Sequence, residues 1–175
     1  PLAQVIKAGA SGFVQIHYLN TTDAAVDAHV QIDAEAPPAA TAFTPTAPYI
    51  TYHSEINIPA ATNGVTVKQT CTTPQDAKFW RMSTHAHKHA ALTEVRNGMP
   101  TSDVIAFMSD NYSNPGASEW MTSPFYTFDD NKLTFECTYN NATAFPIHAG
   151  ERADKDEMCM ATGYMFPADE PTLCV

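Results

Sequence analysis

Three of the seven histidines stand at alternate positions in Met82-Ser83-Thr84-His85-Ala86-His87-Lys88-His89-Ala90. In an extended segment, residues two apart share a face, so His85, His87 and His89 would turn three imidazoles to one side of a sheet, which is how a strand builds a metal site. On a helix the same three would be spread around the circumference. An isolated His-x-His is more often a pair of half-buried strand residues than a ligand pair, so a third donor is needed. The best-placed sulfur is Met158, in Asp156-Glu157-Met158-Cys159, which follows a polar loop running from His148 to Lys155. Two imidazoles and a thioether suit copper, above all Cu(I), because soft sulfur selects it; zinc takes a further histidine, cysteine or carboxylate. Met158 taken alone reads as core packing. A cupin arrangement is disfavoured, since its glutamate should follow His-x-His closely and Glu94 comes seven residues after His87.

The elements around these residues read as strands. Phe13-Val14-Gln15-Ile16-His17-Tyr18-Leu19 and Ala28-His29-Val30-Gln31-Ile32-Asp33 alternate, with Asn20 to Asp23 as turn chemistry between them, and could form a hairpin with a long loop. Residues 34–48 are rich in Ala, Thr and Pro, and their prolines lack backbone donors, so a surface connection is expected. Further strands are expected at Tyr49–Pro59, at Val65–Cys71 after an Asn63-Gly64 turn signal, at Val104–Met108, at Lys132–Tyr139 and at Met158–Phe166. Closely spaced turn signals, with no long stretch of helical period, point to an all-β protein, an antiparallel jelly-roll-like β-sandwich.

With 175 residues the chain is expected to be a single domain over 1–175, able to bury roughly 70% of its unfolded surface. Nine basic against nineteen acidic side chains give a net charge of -10, which repels nucleic acid and anionic membranes and leaves a small molecule, a metal or a neutral partner. No apolar run is long enough for a membrane span, and no segment has the pattern of a signal peptide. A start at Pro1 is read as a mature or trimmed product, or a domain excised from a longer chain. Cys71, Cys137, Cys159 and Cys174 form no Cys-x-x-Cys pair, so two disulfides are expected, in any of three connectivities, in an extracellular or periplasmic protein. Asn20, Asn111 and Asn141 begin glycosylation sequons, a pattern that also arises by chance.

The ordered set His85-Ala86-His87, Val95-Arg96-Asn97-Gly98, Cys137-Thr138-Tyr139-Asn140, Asp156-Glu157-Met158-Cys159 and Tyr164-Met165 resembles the C-terminal domain of the copper type II, ascorbate-dependent monooxygenases. That is the family of peptidylglycine α-hydroxylating monooxygenase and dopamine β-monooxygenase, and the resemblance runs from Phe13 to Phe166. It implies a β-sandwich in which His85, His87 and Met158 are catalytic and hold the copper at which oxygen is activated, with ascorbate or another reductant as co-substrate. It also implies the disulfides Cys137–Cys159 and Cys71–Cys174, the first locking the strand that bears Met158. Val14-Gln15-Ile16-His17-Tyr18 resembles the motif that gives one histidine to the family's second, electron-donating copper, which makes His17 a candidate second-site ligand. The other ligands of that copper come mostly from an upstream domain through an adjacent histidine pair, which this chain does not contain. His89 becomes a flanking residue, His148 a candidate neighbour of the site, and His29 and His53 surface residues.

Two positions depart from the peptide-amidating enzyme, whose arginine before the first histidine and tyrosine after the methionine are replaced by Ser83 and Thr162. A peptide carboxylate then has no evident partner. The expectation is a copper-binding domain that hydroxylates a C–H bond of an unknown small organic substrate with molecular oxygen, working with an upstream copper domain. The alternative is a stand-alone secreted or periplasmic copper-binding protein, a carrier, sensor or scavenger without turnover.

Overall fold

A computed structural model describes residues 1–12, 14, 16, 18, 20 and 22–175. In chain order the strands are β1 (Leu2–Ala3), β2 (Thr44–Pro45), β3 (Ala47–Thr51), β4 (Asn57–Ile58), β5 (Thr62–Thr72), β6 (Lys78–Ala86), β7 (Ala90–Asn97), β8 (Ile105–Ser109), β9 (Ser118–Glu119), β10 (Lys132–Asn141), β11 (Ile147–His148), β12 (Cys159–Phe166) and β13 (Thr172–Cys174). The one helical element among the described residues is a 3-10 turn, Asp129–Asn131. Two main sheets form, ordered β5-β10-β7-β8 and β13-β3-β12-β6-β9, beside the small pairs β1-β2 and β11-β4.

Burial alternates along the strands as a two-faced sheet requires. In β12, Cys159, Ala161, Gly163 and Met165 are buried, while Met160, Thr162, Tyr164 and Phe166 are partly exposed. The buried faces meet in one core in which Val95, Leu133, Phe135 and Tyr139 from the first sheet join Tyr49, Phe79, Met82, Ala161 and Met165 from the second. Burying each of the large side chains contributes roughly 1.5–3 kcal/mol. Edge-to-face rings add to the second sheet's side of the core, with Tyr49 at 5.5 Å and Phe128 at 4.9 Å from Phe79. Both disulfides cross between the sheets: Cys71 of β5 bonds Cys174 of β13, and Cys137 of β10 bonds Cys159 of β12.

The all-β sandwich is therefore as expected, with differences in detail. Most pairings are antiparallel, but β13 runs parallel to β3 and β1 parallel to β2, since strands that meet far apart in sequence are bound by no hairpin. No strand forms over Ala28–Asp33, where Val30 and Ile32 are 44% and 65% exposed. Alternation makes a strand only where one face meets a core and an edge offers partners, and this segment has neither. The strand expected over Phe13–Leu19 falls on positions of which 13, 15, 17 and 19 lie outside the described residues, so His17 does too. Asn63-Gly64 does not end a strand: Gly64, at φ 69°, is the extra residue of a bulge within β5, between the pairs Asn63–Asn140 and Val65–Tyr139. The Asn140 side chain accepts the Gly64 N–H at 3.0 Å. Tyr49–Pro59 divides into β3 and β4, and His53 between them is half-buried, 6.4 Å from the Phe135 ring, where a surface position was expected.

Candidate metal centre

The histidine stretch is a strand followed by a corner. β6 carries His85 and stops at Ala86; residues 87–90 then turn, with the Ala90 N–H on the His87 carbonyl at 3.1 Å, and β7 leaves in the other sheet. The three imidazoles accordingly do not share one flat face. His85 is half-buried on the outer side of β6, His87 sits in the corner at 3% exposure, and His89 belongs to the turn. The rings of His85 and His87 lie 5.3 Å apart, nearly perpendicular. Burial, with Lys88 alongside, holds the His89 imidazole below its ordinary pKa.

Strand β12 brings the sulfur. Its register against β6 pairs Cys159 with Ala86, Met160 with His85 and Thr162 with Ser83. Met158 immediately precedes this ladder, and the two residues before it touch the His87 corner. The Asp156 carbonyl lies 2.8 Å from His87 Nδ1, and Glu157 Oε2 accepts the His87 N–H at 2.9 Å. The other carboxylate oxygen of Glu157 accepts the His89 N–H at 2.7 Å. Glu157 is fully buried, and burial pushes its carboxyl up to about 7 against the opposing pull of the His87, His89 and Met158 N–H groups. From the opposite sheet, the Tyr139 hydroxyl donates to the Met158 carbonyl at 2.8 Å. The Cys137–Cys159 bond then ties the next residue to the same strand, β10.

The loop before Met158 is closed on itself. Gly150 N–H bonds the Glu157 carbonyl at 3.1 Å, Asp156 N–H the Arg152 carbonyl at 2.7 Å, and Lys88 Nζ reaches across to the Asp154 carbonyl at 2.8 Å. A Cβ on Gly150 would lie 2.4 Å from the Asp156 carboxylate, so glycine is needed for this approach. His148 is exposed; it touches the site through its backbone carbonyl, which accepts the Glu157 N–H at 2.9 Å.

A carbonyl oxygen can only accept, so the Asp156 contact places the proton of a neutral His87 on Nδ1 and the lone pair on Nε2. That is the tautomer a metal-ligating histidine adopts when its other nitrogen is held by a backbone carbonyl. Met160 is the cross-strand partner of His85, and Met158 follows the two residues that bond His87; among the described residues no three His, Cys, Asp or Glu side chains gather as a metal cluster. Two imidazoles with a thioether are a donor set that copper fits by softness.

A family model described as copper type II ascorbate-dependent monooxygenase, C-terminal domain, matches residues 48–175. The chain belongs to this family. A comparison with curated proteins finds no match. The match takes in both disulfides, His85, His87 and Met158, whereas the Val14–Tyr18 segment with His17 lies before it. For this monooxygenase domain, reading the sequence brought out the two histidines and Met158 but gave no role to Glu157, Tyr139 or Met160. Glu157 and Tyr139 stand in the motifs that carried the resemblance, and an acidic residue beside an apolar strand was the available signal. That its carboxylate clasps two backbone N–H groups of a turn seventy residues away is a tertiary fact.

Proposed function

We propose that residues 1–175 act as one copper-binding domain in which His85, His87 and Met158 hold the metal for hydroxylation of a C–H bond by molecular oxygen. The observation that carries this reading is the clasp of Asp156 and Glu157 on His87, which sets Met158 beside the histidine corner. Copper, when bound, supplies the one-electron chemistry that activates oxygen. The chain's own part is to present two imidazoles and a thioether from elements whose backbones are tied together. An open coordination position is needed for oxygen.

The outer sheet face next to the site bears on the substrate. Ser83 and Thr162 are cross-strand partners there, and the Ser83 hydroxyl is committed to the Gly116 carbonyl at 2.6 Å. In the next outward row Arg81 is paired with Glu119. A neutral small organic molecule with an aliphatic or benzylic C–H bond suits this surface better than a peptide carboxylate. Electrons come from ascorbate or another external reductant, with a second copper in an upstream domain to which His17 contributes. The two disulfides favour an extracellular or periplasmic setting. No helix among the described residues is long and apolar enough to cross a membrane.

The test is copper content of the purified protein and of His87→Ala. About one copper per chain is expected in the wild type and a loss of most of it in the variant; unchanged content would sink the ligand assignment. A second reading, a copper carrier without turnover, is favoured by the further methionine opposite His85. Oxygen uptake that depends on reductant and substrate separates the two.

A further inference from the structure

Met160 is paired directly with His85 across the β12–β6 ladder. Directly opposed residues of an antiparallel pair lie on the same face with Cβ atoms about 5 Å apart, within reach of a long flexible thioether. The alternation of β12 fixes that face. Cys159 points inward to its disulfide and Ala161 is buried, so Met158 and Met160, both half-buried, lie on the outer side with His85. Two imidazoles 5.3 Å apart thus stand at the end of the strand pair that carries two methionines: Met160 is paired with His85, and Met158 directly follows the Asp156 and Glu157 groups that bond His87.

We propose that Met160 is a second thioether ligand, so that reduced copper is held by His85, His87, Met158 and Met160. This rests on the copper site proposed above. Two soft sulfurs favour Cu(I) over Cu(II), and four donors fill the coordination that a d¹⁰ ion prefers. The Met160 thioether then covers the position oxygen needs and has to swing aside to expose it, which its unbranched side chain allows. The site is stabilised in the reduced state and shielded from adventitious oxygen.

The experiment loads the full chain with Cu(I) under anaerobic conditions and counts sulfur ligands by X-ray absorption, for wild type, Met160→Leu and Met158→Leu. Cu(I) affinity is measured in parallel by competition with a chromophoric Cu(I) chelator. Two sulfurs in wild type, one in each variant, and Cu(I) affinity weakened roughly ten- to hundredfold in Met160→Leu with Cu(II) affinity little changed, are expected. One sulfur in wild type, with sulfur count and affinity unchanged in Met160→Leu, overturns the proposal and leaves the His85, His87, Met158 site standing. No bound Cu(I) in wild type overturns both. The sulfur count of the wild type decides the matter even should a variant fail to fold.

Discussion

A carboxylate with no exposed surface persists only where hydrogen bonds replace its lost water, and Glu157 has them from the backbone of the histidine corner. Its two oxygens hold the His87 and His89 N–H groups, two residues apart, which makes the turn after β6 a fixed object. Glu157→Ala would leave the His87 and His89 N–H groups buried without an acceptor, at a cost of about 1–3 kcal/mol each. We expect Glu157→Ala to lose roughly 2–5 kcal/mol in denaturant unfolding and to bind copper more weakly, because His87 is then free to leave the corner. A variant as stable as wild type would show that the clasp is not what holds the turn. Glu157→Gln keeps one acceptor but turns an amide N–H toward a donor, so its loss should lie between the two.

At the scale of elements, the site is the edge where β6 and β12 run together and then part. Their register decides which side chains face one another, and one slip would carry Met160 to the inner face and break its pairing with His85. Gly163 shows how closely the two strands are set. A Cβ there would lie 2.9 Å from the Arg81 carbonyl and 2.9 Å from Met82 Cε, and the carbonyl belongs to the ladder and cannot move aside. Gly163→Ala is therefore expected to cost about 1–3 kcal/mol through overpacking, read as a lower melting temperature. A variant that melts with the wild type would mean that the ladder yields at this point. The bulge at Tyr164/Met165 lies beyond Gly163, so the disturbance should reach the aromatic stack of Trp80 on Tyr164 more than the histidines.

For the whole molecule, the two disulfides do different work although both join the sheets. Cys71–Cys174 spans 103 residues and joins the outer strands β5 and β13, far from the histidine corner in the strand order. Cys137–Cys159 spans 22 residues and holds the residue after Met158. Loop-closure entropy assigns about 5 kcal/mol to the first and about 3 kcal/mol to the second. Replacing Cys71 and Cys174 together by Ala should therefore lower stability more yet leave copper affinity nearly unchanged. Replacing Cys137 and Cys159 should lower stability less yet weaken copper binding. Unfolding curves and copper titrations of the two double variants check the crossing, and the opposite order would refute the division of labour.

The sequence by itself determined the sandwich, because alternation along the segments that became β5, β10 and β12 carries the strand period whatever the partners. It also singled out His85 and His87, whose spacing is local, and Met158 as candidate ligands, and the resemblance carried by the ordered motifs implied the disulfide pairing that the structure has. It misled where alternation had no core to face, as at Ala28–Asp33, and where an Asn-Gly pair became a bulge because β10 continued alongside it. Only the tertiary structure decided that β6 ends at Ala86, that His89 falls in the turn beyond it, that Glu157 clasps the corner and that Met160 is paired with His85. Those facts depend on the register between strands some seventy residues apart, and register follows from how the two buried faces pack, which no stretch of sequence contains.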